Sequence, residues 1–338
     1  MMEQAATKTG ELAARGSAER IATILLPLDG SELSEAAVPY AVELARLMRA
    51  RLVLLRVLEE NAPVFDTVCR DMIVIDERNA RVELQSPAML TPVITRLNDA
   101  GLQPRAVVRL GDPSEEILAE ADHQPQPTIV MTSHGRGGLG RVVTGSVATR
   151  VLRHASCPVL IVRPASPLAA PAPVHLQRLV VPLDGSPLSE RALPLAEAIA
   201  QAAGAALKLV RVAETTRDEM PDDIASRHIL PADRATLRRF TRKEDRVRTY
   251  LRAVSGRLRR AGIEVNWDAL SGDPAHQLQE MLAREKPDLV VMTTHGHGAV
   301  ARWWFGSVAD ELLTSTHTPI LLIRVREPLG DEFKRALA

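Results

Sequence analysis

Two stretches of this chain combine glycine, hydroxyl and imidazole side chains at one fixed spacing. The first reads Met131-Thr132-Ser133-His134-Gly135-Arg136-Gly137-Gly138-Leu139-Gly140, followed by Gly145-Ser146-Val147; the second reads Thr293-Thr294-His295-Gly296, followed by Gly306-Ser307-Val308. In both, nine residues separate the glycine after the histidine from the Gly-Ser pair. Glycines allow positive φ and a close approach of the backbone to a ligand. A Gly-Ser pair directly before a helical pattern adds unpaired amides, the positive end of the helix dipole and a hydroxyl. That combination suits anionic oxygen, typically phosphate. The same residues can equally form a tight turn in which Ser146 and Ser307 only cap their helices.

Other polar residues carry less. Asp29 and Asp184 each end the first apolar run of their repeat, where a carboxylate can accept from a ribose or an adenine amino group, or cap the turn that follows. His134 and His295 invite a catalytic reading because a free imidazole changes charge near neutrality. Neither has a Ser, Cys or carboxylate fixed beside it by sequence, so neither is assigned a catalytic role. Arg141 and Arg302 can reach a phosphate or face solvent, and Trp303-Trp304, where the first copy has Val142-Val143, suits packing or an interface. There is no Gly-x-Ser-x-Gly elbow, no Walker A sequence and no early Gly-x-Gly-x-x-Gly. His295-Gly296-His297-Gly298 has neither the helix nor the spacing of a zinc site.

The elements that must position these residues also come twice. Ile24-Leu25-Leu26-Pro27-Leu28-Asp29-Gly30-Ser31 returns as Leu179-Val180-Val181-Pro182-Leu183-Asp184-Gly185-Ser186. The offset is 155 between the aspartates (184 − 29) and 161 between the Gly-Ser pairs (306 − 145), so the second copy carries about six extra residues in its middle. In the first copy, apolar runs cover Thr23–Leu28, Leu52–Leu58, Arg105–Leu110, Thr128–Thr132 and Pro158–Val162. Helical periodicity covers Ser34–Arg49, Ser114–Ala121 (with Asp112 or Ser114 as N-cap) and Ser146–His154. The second copy repeats the pattern over Leu179–Leu183, Leu188–Ala203, Ala206–Val212, Arg242–Arg260, Val265–Leu270, Ala275–Arg284, Leu289–Thr293, Ser307–Thr314 and Ile320–Ile323. Pro87 and Pro92 interrupt the counterpart of Arg242–Arg260, so a helix there must be kinked or start near Thr91. Apolar runs joined by helical crossovers predict a parallel sheet covered on both faces, doubly wound. The expected organisation is a disordered tail over 1–20, domains over 21–164 and 176–326, a Pro/Ala-rich linker over 165–175 and a C-terminal tail over 327–338.

Composition narrows the functional classes. Forty-two basic residues balance 42 acidic ones in a chain of 338, which argues against nucleic acid or an anionic membrane as partner. The basic run from Arg234 to Arg248 is interleaved with Glu244 and Asp245, as on a solvated helix face. Cys69 and Cys157 make neither a disulfide framework nor a metal-ligand pattern. The first twenty residues lack the apolar core of a signal peptide and no apolar run reaches ~18 residues, so a cytoplasmic protein without a membrane span is expected.

At these residues the chain resembles the universal stress protein family in its tandem, two-domain form. The resemblance rests on the Pro-Leu-Asp-Gly-Ser start, Leu54-Leu55-Arg56-Val57, Gly111-Asp112-Pro113, His134-Gly135-Arg136-Gly137-Gly138-Leu139, Gly145-Ser146-Val147-Ala148 and Cys157-Pro158-Val159-Leu160-Ile161-Val162. It implies two Rossmann-like α/β domains, each with a five-stranded parallel sheet. It also implies ATP, with or without Mg2+, at Leu28, Asp29, Val57, Gly135, Gly145, Ser146 and Val147, and at Leu183, Asp184, Val212, Gly296, Gly306, Ser307 and Val308. The family's first motif glycine is Thr132 in one copy and Thr293 in the other, where a side chain can crowd the ligand. The last strands, Pro158–Val162 and Pro319–Ile323, are implied to align as an internal pseudo-dimer, which leaves room for a further homodimer. The expected function is binding of ATP or a related adenine nucleotide in a stress response, without efficient turnover. Its competitors are an interaction protein that binds no nucleotide and a slow ATPase.

Overall fold

Strands made of Val, Ile and Leu without polar alternation need apolar cover on both faces. Leu52–Leu55 and Leu289–Met292 are such runs, and every residue in them is buried. The computed structural model describes residues 21–59, 90–133, 145–163, 173–214, 234–294 and 306–324. In the first half these form β1 (Thr23–Pro27), α1 (Glu32–Glu35), α2 (Val38–Met48), β2 (Arg51–Leu58), α3 (residues 90–99), β3 (Arg105–Leu110), α4 (Pro113–His123), β4 (Pro127–Thr132), α5 (Ser146–His154) and β5 (Val159–Val162). The second half forms β6 (Arg178–Pro182), a 3-10 turn (Ser189–Ala192), α6 (Leu193–Ala203), β7 (Ala206–Glu214), α7 (Arg234–Arg260), β8 (Val265–Gly272), α8 (Pro274–Glu285), β9 (Leu289–Thr293), α9 (Ser307–Ser315) and β10 (Ile320–Ile323).

Each half is a doubly wound α/β unit of five parallel strands, as expected. The full sheet order is β3-β2-β1-β4-β5-β10-β9-β6-β7-β8. The strands that the family resemblance implies to align, β5 and β10, pair antiparallel at the centre, with Ile320 opposite Ile161, Leu321 opposite Leu160 and Leu322 opposite Val159. Alternate residues therefore feed opposite faces. Leu160 and Leu321 join one core with α2, α3, α6 and α7, while Val159, Ile161, Ile320 and Leu322 join the other with α4, α5, α8 and α9. Both cores run through both halves. Among the described residues, no helix is long and apolar enough to cross a membrane.

Three elements depart from the pattern read off the sequence. Ser34–Arg49 is two helices, α1 and α2, because Pro39 stands in the first turn of α2 and lacks the amide that a continuous helix requires. Pro194 has the same effect in the second half, where the 3-10 turn precedes α6. The long amphipathic helix starts at Arg234 rather than Arg242 and buries Val247, Leu251, Val254 and Leu258. Its counterpart α3 is described from residue 90 onward and buries Leu90, Val93 and Leu97.

The halves also cap each other's helices. Arg163, just after β5, donates to the carbonyl of Thr314 in the last turn of α9. Arg324, just after β10, donates to the carbonyls of Arg153 and Ala155 at the end of α5. A cation there satisfies orphan carbonyls and meets the negative end of the helix dipole. Arg324→Ala should therefore cost about 1 kcal/mol and lower the calorimetric Tm by about 2–4 °C. Arg163→Ala should behave alike, and the double variant should be close to additive.

Candidate functional site

In a sheet ordered 3-2-1-4-5, the crevice lies where β1 meets β4, at the carboxyl ends of the strands. At β1 the backbone turns sharply. Gly30 takes φ 77° and Gly185 takes φ 84°, a region that costs a residue with a Cβ. Asp29 Oδ1 accepts from the Ser31 amide at 2.9 Å and its hydroxyl at 2.5 Å, and Asp184 Oδ1 accepts from the Ser186 amide at 2.8 Å. Of the two roles open to these carboxylates, the structure displays the turn cap. Leu28 and Leu183 are buried, with their amides donated to Leu55 and Val210 at 2.8 Å.

Arginines to which the sequence assigned no role brace these turns. Arg56 is buried and its Nη1 donates to the Leu28 carbonyl at 3.1 Å. Its equivalent Arg211 lies over the Tyr250 ring, 4.7 Å from the centroid. A Cβ built on Gly185 would stand 2.4 Å from Arg211 Nη1. The Tyr250 hydroxyl donates to Glu190 Oε1 at 3.0 Å, and burial followed by that carboxylate pushes its pKa up. Arg257 meets the other Glu190 oxygen at 3.1 Å, and the first half repeats this with Arg96 and Glu35 at 2.5 Å.

On the β4 side, the Gly145 amide donates to the Ser133 carbonyl and the Gly306 amide to the Thr294 carbonyl, both at 2.7 Å. These bonds set Ser146 and Ser307 at the starts of α5 and α9 beside the strand ends. Neither helix has a side-chain N-cap, because a glycine holds that position. The neighbouring helices differ. Asp112 caps α4 by accepting from the Ser114 and Glu115 amides, and Asp273 caps α8 by accepting from the His276 amide. The structure thus selects Asp112 over Ser114 as the α4 cap. Thr132 and Thr293, which replace the first motif glycine, end β4 and β9 and are only 6% exposed.

In the first half, a cavity of about 560 Å³ opens between Glu59, Gly111, Asp112, Pro113, Ser146, Val147 and Arg150. Arg150 Nη1 sits 3.0 Å from Asp112 Oδ2. The Ser114 hydroxyl, two backbone amides and Arg150 together hold the Asp112 carboxyl below the usual carboxylate range. Ser146 and Val147 are thus brought together with the β3–α4 turn, whereas Asp29 and Val57 are not among the cavity's lining residues. Val57, Val147, Val212 and Val308 are half-buried against one core. Gly135 and Gly296 lie outside the described residues, as do His134, His295, Arg141, Arg302, Trp303 and Trp304. Cys157 is buried, which raises its thiol pKa to about 11 and makes it a poor nucleophile.

Two doubly wound units that share one sheet, each opening a glycine-capped helix at its switch point, define an α/β protein built by duplication. The model of the Universal stress protein family matches residues 21–163 and again 175–324, and the chain belongs to that family. It is 29% identical over 313 residues to a universal stress protein of Mycolicibacterium smegmatis, covering 90% of this chain and 97% of that one. It is 32% identical over 144 residues to universal stress protein YxiE of Bacillus subtilis, covering 41% of this chain and 97% of the relative. The crystal structure of a universal stress protein from Archaeoglobus fulgidus shares the fold with a TM-score of 0.61 at 21% identity, covering 89% of this chain and 98% of that one.

The turn beneath Arg211 yields a paired test. Gly204 also has positive φ, 62°, but a Cβ there meets nothing within 4 Å. Gly204→Ala should cost about 1–2 kcal/mol, from the left-handed backbone alone. Gly185→Ala adds the displacement of Arg211 from Tyr250, a further loss of about 0.5–1 kcal/mol. Urea denaturation of both variants would show the order.

Proposed function

We propose that the protein is a cytoplasmic stress-response module that binds ATP or a related adenine nucleotide in one or both halves without efficient turnover. The observation that carries this reading is the start of α5. Among the described residues its first-turn amides have no side-chain cap, and Ser146 and Val147 open into a cavity whose size suits a small-molecule ligand. Phosphate oxygens would accept from those amides and the Ser146 hydroxyl, with the helix dipole favouring their charge. Gly135 and Gly145 would allow the backbone to approach, and Asp29 and Val57 would stand toward the ribose and base. Gly296, Gly306, Ser307, Val308, Asp184 and Val212 would be their counterparts, and Leu28 and Leu183 would support the turns from the core.

No group of three or more His, Cys, Asp or Glu side chains suited to a metal occurs among the described residues. Mg2+ would therefore arrive on the phosphates, which is how this ion is ordinarily held. Binding rather than hydrolysis is favoured because Asp29 and Asp112 already serve the fold. Asp29 is tied to Ser31, and Asp112 is tied to Ser114, Glu115 and Arg150. A general base needs a carboxylate oriented on a water instead.

Equilibrium dialysis with labelled ATP tests the proposal directly, and no retention at millimolar ligand would remove it. Ser146→Asp sharpens the test, because a carboxylate at the first helical position suits the dipole yet occupies the place of the phosphate. ATP affinity should fall at least tenfold, ~1.4 kcal/mol, while Tm stays the same or rises. Unchanged affinity would argue against phosphate at this helix.

A further inference from the structure

The helices that open the two candidate sites begin identically and then diverge in charge. Ser146-Val147-Ala148-Thr149-Arg150 stands against Ser307-Val308-Ala309-Asp310-Glu311. We propose that the halves are not equivalent: the first takes the polyphosphate of a nucleotide, and the second, with Asp310 and Glu311 where the first has Thr149 and Arg150, rejects it. This rests on the reading of Gly145-Ser146 as a phosphate site.

Residues four apart lie on the same face of a helix. Arg150 therefore stands one turn above Ser146, where it lines the cavity, and Asp112 fixes its guanidinium at 3.0 Å. A phosphate on the first-turn amides of α5 has that cation beside it. Glu311 holds the equivalent place above Ser307 and accepts from Gln279 at 2.9 Å. α5 has no acid in its first turn and carries Arg153 and His154 in its last, whereas α9 has Asp310 in its first turn and no base in its last. An aspartate at that end already complements the dipole and repels a second anion. Glu59 and Asp112 also place carboxylates at the first cavity, but Glu214 and Asp273 match them in the second half. They are common to both halves and do not discriminate. What changes is that the Asp112–Arg150 ion pair becomes Asp273 and Glu311, two like charges.

Isothermal titration of the full chain with ATP should give one site per chain. Arg150→Glu should weaken that site at least tenfold with the far-UV circular dichroism and Tm preserved, since Arg150 is 60% exposed. Asp310→Thr combined with Glu311→Arg should raise the stoichiometry from one to two. Two equal sites in the unaltered chain would overturn the inequivalence and leave nucleotide binding intact; a single site that survives both Arg150→Glu and Ser146→Asp would overturn its assignment to the first half's helix start. A double variant that stays at one site would overturn the assignment of the discrimination to these two charges. No binding to any variant would instead remove the nucleotide reading, and this inference with it.

Discussion

The first amides of every α-helix lack partners within the helix, and this chain meets that constraint in three ways: a side-chain cap, a proline in the first turn of the otherwise uncapped α2 and α6, and a glycine start at the candidate binding helices. Ser31 caps α1, Asp112 caps α4 and Asp273 caps α8, each with a side-chain oxygen on an early amide. α5 and α9 begin at glycines and have no side-chain cap. A side-chain cap commonly contributes about 1 kcal/mol, so leaving it out in the same place in both halves is a cost that a bound anion would offset. The glycine amides donate to the carbonyls of Ser133 and Thr294, which fixes the two helix starts beside the strand ends.

The other end of the same helices is tied to the opposite half. Arg324 reaches the carboxyl end of α5, and Arg163 reaches that of α9. These contacts are possible because β5 and β10 run antiparallel, which places each strand's last arginine beside the partner half's helix. The same pairing carries both apolar cores across the centre of the sheet. Each candidate site thus lies on a helix whose amino end belongs to one half and whose carboxyl end is stabilised by the other.

Much of the fold was legible because the relevant signals are local. Leu289–Thr293 and Ile320–Ile323 are unbroken apolar runs, and the strands have those limits. The helix at Ser146–His154 likewise follows from its start after Gly145 and its apolar face. The break between α1 and α2 was not evident, since Ala37, Ala41 and Leu44 keep helical spacing through it and only Pro39 signals the interruption. At the site, sequence identified Ser146 and Val147, which line the cavity, but not Arg150, whose role depends on Asp112 at the end of a different strand. Arg56 and Arg211 were hidden for a similar reason. They sit inside apolar strands, and their partners Leu28 and Tyr250 are brought to them only by the fold.

Duplication gives an internal comparison that a single domain lacks. Features found at equivalent positions, such as the Glu35–Arg96 and Glu190–Arg257 pairs and the cap glycines of α5 and α9, are inherited together and report on what the shared architecture requires. They cannot by themselves say what either half does, since a retained scaffold and a retained site look alike. The differences carry that information. Along α5 and α9 the buried positions keep their character, Ala148 with Ala309, Val151 with Leu312 and Leu152 with Leu313, while the exposed ones change charge. Packing therefore constrains one face of these helices in both halves. The freedom that remains lies on the solvent face, where Arg150 and Glu311 set the electrostatic character of each helix's opening turns.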